Sequence, residues 1–268
     1  GIIYPGDPGF PAGLKGSNTQ WGNFSPRAGV AWDVTGDGRT AVRSSYGMNY
    51  DFPTASFMYK PATGSPFSNR LLINAVPFED PYRNVPGGQT HPLPEVPTAD
   101  AIFPSFAQFL VMDPDINSTR AQTWNVTIEQ QIGTVWQASV SYLGSYLDRL
   151  WGGVHQNPGV FMGLGPCTMN GVSYATCTTD ANINQRRVLY RENPVLGQGL
   201  AYVNRISDVG TQSYRALRLS LRRAASGVSL SGNYTLSHCE ADTEVSGGWL
   251  QFEEGYLKPE DPSFDRGN

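Results

Sequence analysis

The sequence predicts an all-β chain that forms part of an antiparallel, up-and-down transmembrane β-barrel with about six long strands. Runs of alternating apolar and polar residues occur in three pairs, and each pair flanks a very short turn. Long irregular segments separate the pairs. Short periplasmic turns at one end and long extracellular loops at the other are typical of barrels in the outer membrane.

The three pairs predict hairpins over about residues 24–52, 121–147 and 214–238. Their strands are, in chain order, Phe24–Val34 with Arg39–Phe52, Ala121–Ile132 with Val135–Leu147, and Tyr214–Arg223 with Val228–His238. Residues 53–118, 148–212 and 239–268 are then predicted to be long loops. Because the smallest single-chain barrels have eight strands, residues 1–268 are expected to be a partial β-barrel domain of a larger protein.

Alternation with a period of two assigns each side chain to one face of a strand. In the third run Trp124, Val126 and Ile128 share one face, and Asn125 and Thr127 share the other. A charge facing lipid near the bilayer midplane costs about 2–4 kcal/mol, whereas a charge facing the lumen costs little. The charged residues predicted to line the lumen are Arg27, Arg43, Glu129, Arg218 and Arg222.

A soluble β-sandwich also alternates, with its polar face in water. Two features favour the membrane barrel. The runs last about ten residues or more, whereas soluble strands average about five or six. Aromatic residues recur near strand ends, as an interfacial girdle requires; they are Trp32, Tyr50, Trp136, Tyr146 and Trp151.

The composition and motifs of the chain argue against other classes of protein. Hydrophobic residues make up 39 % of the chain, and no apolar stretch approaches the length of a membrane helix. A net charge of −4 without a basic patch argues against a nucleic-acid partner. No catalytic motif is present, so the chain is not expected to be an enzyme, and neither a cofactor nor a metal site is predicted.

The cysteines indicate an oxidising compartment. Cys167 and Cys177 flank Asn170-Gly171, which is a hairpin turn signal, and this spacing favours a local disulfide over two free thiols. Cys239 is then unpaired within the chain, and an odd cysteine implies a missing partner.

Aromatic residues in the long loops are the candidate ligand-binding residues. With Asn, Gln and Arg they could bind carbohydrate by stacking and hydrogen bonding, or they could pack only against each other. The candidates are Phe57, Tyr59, Phe67, Tyr82 and Trp151.

Several stretches resemble the C-terminal barrel of TonB-dependent outer-membrane receptors. The similarity is greatest to the Oar-like group, in which a carboxypeptidase-regulatory-like domain precedes the plug. The matching stretches run in order along nearly the whole chain: Asn23–Asp33, the Gly-Asp-Gly-Arg-Thr turn, Val42–Asp51, Gln122–Gln131, Ala138–Ser145, Ser213–Arg222, Asn233–Cys239 and Asp265–Asn268.

The resemblance implies a function in the bacterial outer membrane. Such receptors bind and import a bulky nutrient through a barrel filled by a plug, and TonB moves the plug. The implied partners are outer-membrane lipid, the remainder of the barrel with its plug, TonB and an unknown bulky substrate. In this family a cysteine often follows the Asp-Arg-Gly-Asn stretch, which offers a partner for Cys239. The alternative is a secreted or surface β-rich adhesion or structural module without transport activity.

Overall fold

The computed structural model of the protein describes residues 8–10, 19–51, 78–80, 108–198, 200–242, 258 and 261–267. The chain forms two compact units. The first comprises Gly1–Pro53, Asp113–Gly153 and Ser207–Asn268, and the second comprises Thr54–Met112 and Val154–Ile206. Within the described part of the chain, no helix is both long enough and apolar enough to span a membrane.

The described residues are mostly strand. The strands are β1 (Arg27–Asp33), β2 (Thr40–Tyr50), β3 (Gln108–Met112), β4 (Arg120–Ile132), β5 (Trp136–His155), β6 (Cys167–Met169), β7 (Val172–Tyr174), β8 (Tyr202–Ala225) and β9 (Val228–Ala241). In the main sheet β1 pairs with β2, β2 with β4, β4 with β5, and β8 with β9, all antiparallel. Strand β5 is the neighbour of β8. Each of the six runs with period-two alternation therefore contains a strand of this sheet.

Strands β1 and β2 are joined by a turn that Asp33 organises. The Asp33 carboxylate accepts hydrogen bonds from the backbone N–H groups of Gly36 at 3.0 Å and Gly38 at 2.8 Å. Both glycines have φ near +74°, a conformation that costs glycine little. One aspartate and two glycines therefore close the hairpin and set its register.

Strands β5 and β8 are longer than the alternation predicts. Strand β5 continues past Leu147 to His155, and β8 begins at Tyr202 rather than at Tyr214. The residues from Leu150 to Val154 are all buried, so both faces of β5 are covered there. A strand covered on both faces has no polar side to alternate with. The predicted loop 148–212 is therefore wrong at both ends. Strand β5 occupies its first residues, where burial on both faces hides the alternation, and β8 occupies its last residues.

The second unit contains β3, which lies inside the predicted loop 53–118. Strand β3 pairs in parallel with residues 202–206 of β8. Phe109, Val203 and Ile206 are at most 6 % exposed and belong to the apolar core. A short strand in a proline-rich segment gives little sequence signal, and its parallel partner lies about ninety residues away in the chain.

A disulfide between Cys167 and Cys177 joins the β6–β7 hairpin to the segment that follows it. The hairpin turn is Asn170-Gly171, with φ of 49° and 79°, as the sequence signal for a turn indicates. After the disulfide the chain forms a 3-10 turn over Asp180–Asn182 and two short helices, Ile183–Arg186 and Val188–Glu192.

Candidate functional site on the polar face of the sheet

Strand register brings the charged residues of three strands onto one face of the main sheet, which we call the polar face. Arg43 pairs with Ala31 and Thr127, and Glu129 pairs with Ala41. Arg27 and Gly29 lie on the same face of β1 as Ala31, and Gly29 pairs with Ser45. The sheet thus places hydrogen-bonding side chains in adjacent rows.

An open cavity of about 410 Å³ lies on the polar face near the short turns. Arg43 Nε lies 3.3 Å from Glu129 Oε2 in the lining, and Arg222 from β8 reaches the same cavity. Three of the five residues predicted to line a lumen therefore meet at one place. Arg218 lies on the same face of β8 as Arg222, because the two residues are four positions apart in the strand. Their partners in β9 are Thr235 and Ser231.

The charge of this cavity is set partly by the adjacent turn. Hydrogen bonds from the Thr35 hydroxyl and the backbone N–H of Arg39 hold the pKa of Asp37 below its ordinary value. The ionised Asp37 carboxylate lies 3.6 Å from Arg39, and Glu129 pairs with Arg43. Among the described residues, Arg222 is the lining cation that has no carboxylate partner.

Hydrogen bonds without a carboxylate partner continue along the polar face away from the turns. Asn125 Nδ2 donates to Ser45 Oγ at 2.6 Å, and Arg27 Nη2 donates to Asn49 Oδ1 at 2.7 Å. A second open cavity of about 400 Å³ lies beyond them, and Asn49, Asp51 and Gln212 contribute to its lining. The face offers both charged and neutral groups to a polar ligand or a second polar surface.

The opposite face of the sheet, which we call the apolar face, is hydrophobic and open. Its large side chains are 41–62 % exposed; they are Val30, Trp32, Val126, Ile128, Val140, Tyr142, Leu217, Leu219, Leu221, Leu230, Tyr234 and Leu236. Soluble monomers rarely expose a contiguous apolar patch beyond a few hundred Å². A continuous apolar face across β1, β2, β4, β5, β8 and β9 is suited to contact with lipid.

The ligand-binding candidates are not brought together in the described structure. Phe57, Tyr59, Phe67 and Tyr82 lie outside the described residues. Trp151 lies in strand β5 rather than in a loop, is 6 % exposed and donates its indole N–H to the Asn117 carbonyl at 2.6 Å. Its prediction as an accessible loop residue is wrong, because β5 extends past the end of its alternation.

Cys239 lies in β9 opposite Tyr214 and is an exposed free thiol. A later segment of the chain also forms backbone hydrogen bonds with β9, close to Cys239. The backbone N–H of Ala241 donates to the Gly267 carbonyl at 3.0 Å, and the reverse bond measures 2.9 Å. Gly267 therefore lies beside the strand that carries Cys239.

The second unit contains a buried polar network that alternation did not reveal. Arg186 is 4 % exposed and donates to Asn182 Oδ1, the Val160 carbonyl and the Thr179 carbonyl at 2.6–2.9 Å. Asn182 Nδ2 donates to the Cys177 carbonyl at 2.9 Å, which ties the network to the disulfide. The sequence signal was the adjacent pair Arg186-Arg187 in a segment otherwise poor in basic residues.

Arg187 and Asn157 form a second buried polar network in this unit. Arg187 is 2 % exposed, donates to the Asn157 carbonyl at 2.9 Å and lies over the Tyr202 ring with its Cζ 4.9 Å from the centroid. Burial lowers the pKa of its guanidinium. Asn157 is fully buried and bonds to Leu200, Ala201 and Leu189. These contacts fix the fold of the unit.

The sheet with one apolar and one polar face defines a membrane β-barrel segment, and the comparison with known families agrees. The family model described as outer membrane β-barrel domain matches residues 1–268. The chain belongs to this family and to the bacterial outer membrane.

Among solved structures, the chain is similar to the outer membrane transporter YddB from Escherichia coli, with 10 % sequence identity and a TM-score of 0.46. The match covers 86 % of this chain and 21 % of the transporter, so the chain spans about a fifth of that protein's length. No curated protein matches the sequence.

Proposed function

We propose that the chain is part of the barrel of a TonB-dependent outer-membrane receptor that binds a bulky nutrient and imports it. The observation that carries the proposal is the pairing of a charged polar face with an exposed apolar face across long strands. The Oar-like resemblance of these same strands supports the receptor class. Binding and transport, rather than catalysis, is the activity we propose.

In this proposal the apolar face meets lipid and the polar face meets the lumen. Arg27, Arg43, Glu129, Arg218 and Arg222 then contact water, the plug or passing cargo. The short turns lie on the periplasmic side and the long segments on the extracellular side, which is the arrangement usual for outer-membrane barrels. The partners in this proposal are the other strands of the barrel, the plug and, through the plug, TonB.

A secreted adhesion or structural module is the alternative from another class. It would have to bury the apolar face within itself, because a soluble domain places such a face in its core. Val126 and Ile128 at the centre of β4 are instead 43 % and 51 % exposed. Membership of the outer-membrane barrel family also disfavours this alternative.

The test uses the full-length receptor in its own outer membrane. Uptake of three labelled probes is measured in parallel: an oligosaccharide, a peptide mixture and a ferric chelate. Deletion of the receptor gene should abolish uptake of one probe class, and so should collapse of the proton gradient with an uncoupler. Uptake that depends on the gene but persists without the gradient would show passive diffusion and refute TonB dependence. Unchanged uptake of all three after deletion would refute nutrient import for these classes.

A further inference from the structure

The apolar face of β8 has an arginine at each end of its hydrophobic stretch. Arg215 and Arg223 flank Leu217, Leu219 and Leu221, and all five residues lie on the same face of the strand. On β9 the row partners of Arg215 and Arg223 are His238 and Leu230. The two guanidinium groups therefore mark the limits of the hydrophobic stretch on this face.

The spacing of the two arginines is slightly shorter than the height of the apolar band of an outer-membrane barrel. Arg215 and Arg223 are eight positions apart in β8, which is about 26 Å along a strand at about 3.3 Å per residue. A strand tilt of about 40° reduces the separation along the membrane normal to about 20 Å, and the apolar band of such barrels is about 25 Å tall. Long arginine side chains can extend outward from both edges of the band.

At the edge near the turns, Arg223 is paired with an aromatic ring. Its Cζ lies 5.8 Å from the centroid of the Trp136 ring, within the range of a cation–π contact. Tryptophan at the level of the lipid head groups is characteristic of membrane proteins. No carboxylate in the described part of the chain pairs with Arg223. An anion from outside the chain would supply the missing charge.

We propose that Arg223 and Trp136 form a binding site for the head group of an anionic phospholipid at the turn-side edge of the apolar face. The guanidinium binds the lipid phosphate, and the indole ring orients the guanidinium toward the head-group layer. Guanidinium geometry suits bidentate binding of phosphate. The inference rests on the proposed lipid-facing orientation of the apolar face.

Arg222 provides a matched control, because it is adjacent in sequence and lies on the polar face. Full-length receptor is reconstituted in nanodiscs with equal phosphatidylglycerol and phosphatidylcholine, and the lipids that remain bound are counted by native mass spectrometry. Wild type and Arg222→Gln should retain phosphatidylglycerol in preference to phosphatidylcholine. Arg223→Gln should lose about fivefold of this preference, the factor that one cation near an anionic surface contributes. Arg223→Lys should retain most of it.

The possible outcomes separate the inference from the orientation on which it rests. Equal preference in wild type and Arg223→Gln would overturn the lipid site and leave the orientation intact. Loss of preference in Arg222→Gln but not in Arg223→Gln would overturn the orientation itself. If Arg223→Gln fails to assemble, Trp136→Leu takes its place, since it removes the ring that orients the guanidinium. A reduced phosphatidylglycerol preference in Trp136→Leu supports the site, and a preference equal to that of wild type would overturn it.

Discussion

The orientation of the sheet can be tested by placing a charge at the centre of β4. Val126 is the central residue of this thirteen-residue strand, lies between Ser44 and Tyr142 in its row, and is 43 % exposed. If the apolar face meets lipid, Val126→Arg places a guanidinium near the bilayer midplane at a cost of about 2–4 kcal/mol. This cost corresponds to a factor of about 30 to about 900 in the folding equilibrium.

Asn125→Arg is the control, because Asn125 is adjacent and lies on the polar face. The substitution removes one hydrogen bond to Ser45, worth about 1 kcal/mol, and leaves the new charge in water. The assay is the fraction of full-length receptor in the outer-membrane fraction with heat-modifiable gel migration. Val126→Arg should greatly reduce that fraction, and Asn125→Arg should change it little. Equal losses, or a larger loss for Asn125→Arg, would refute the assignment of the two faces.

Three further predictions concern stability. Replacing Cys167 and Cys177 by serine should destabilise the closed loop by about 2–3 kcal/mol, measured as faster proteolysis of this segment in an otherwise assembled receptor. Asn157→Ala should leave the carbonyls of Leu200 and Ala201 without their side-chain donor and cost about 3 kcal/mol. The measurement is hydrogen exchange, which should become faster in the surrounding backbone. Exchange as slow as in the wild type would contradict a structural role for the network. Gly144→Ala should displace the Trp124 ring, which the new Cβ would overlap, and destabilise the protein by about 1–3 kcal/mol. Gly232→Ala is the control, because its Cβ meets open space, and equal effects of the two substitutions in thermal unfolding would contradict this contact.

The sequence was informative where one face of a strand is apolar and open. The alternation of Val126 with Asn125 and of Leu221 with Arg222 is local, and the structure has these residues on opposite faces. The disulfide and its Asn170-Gly171 turn are also local, since the two cysteines are ten residues apart.

Sequence patterns failed where the structure depends on distant partners. The end of β5 is buried on both faces, so its residues show no period of two. Asn157 donates to carbonyls more than forty residues away, and no local pattern specifies such a bond. The buried arginines could be noticed as an adjacent pair, but their partners are mostly backbone carbonyls, which every residue possesses.

Strand register is the property on which both faces depend. A shift of one residue would move every side chain of a strand to the other face. In β2 and β4 such a shift would turn Arg43 and Glu129 toward lipid, and each misplaced charge near the midplane would cost up to about 2–4 kcal/mol. It would also place Val126 and Ile128 in the polar interior. The turn that Asp33 organises is therefore as important for the proposed transport path as the charges that line it, because it holds those charges on the side where a polar cargo could meet them.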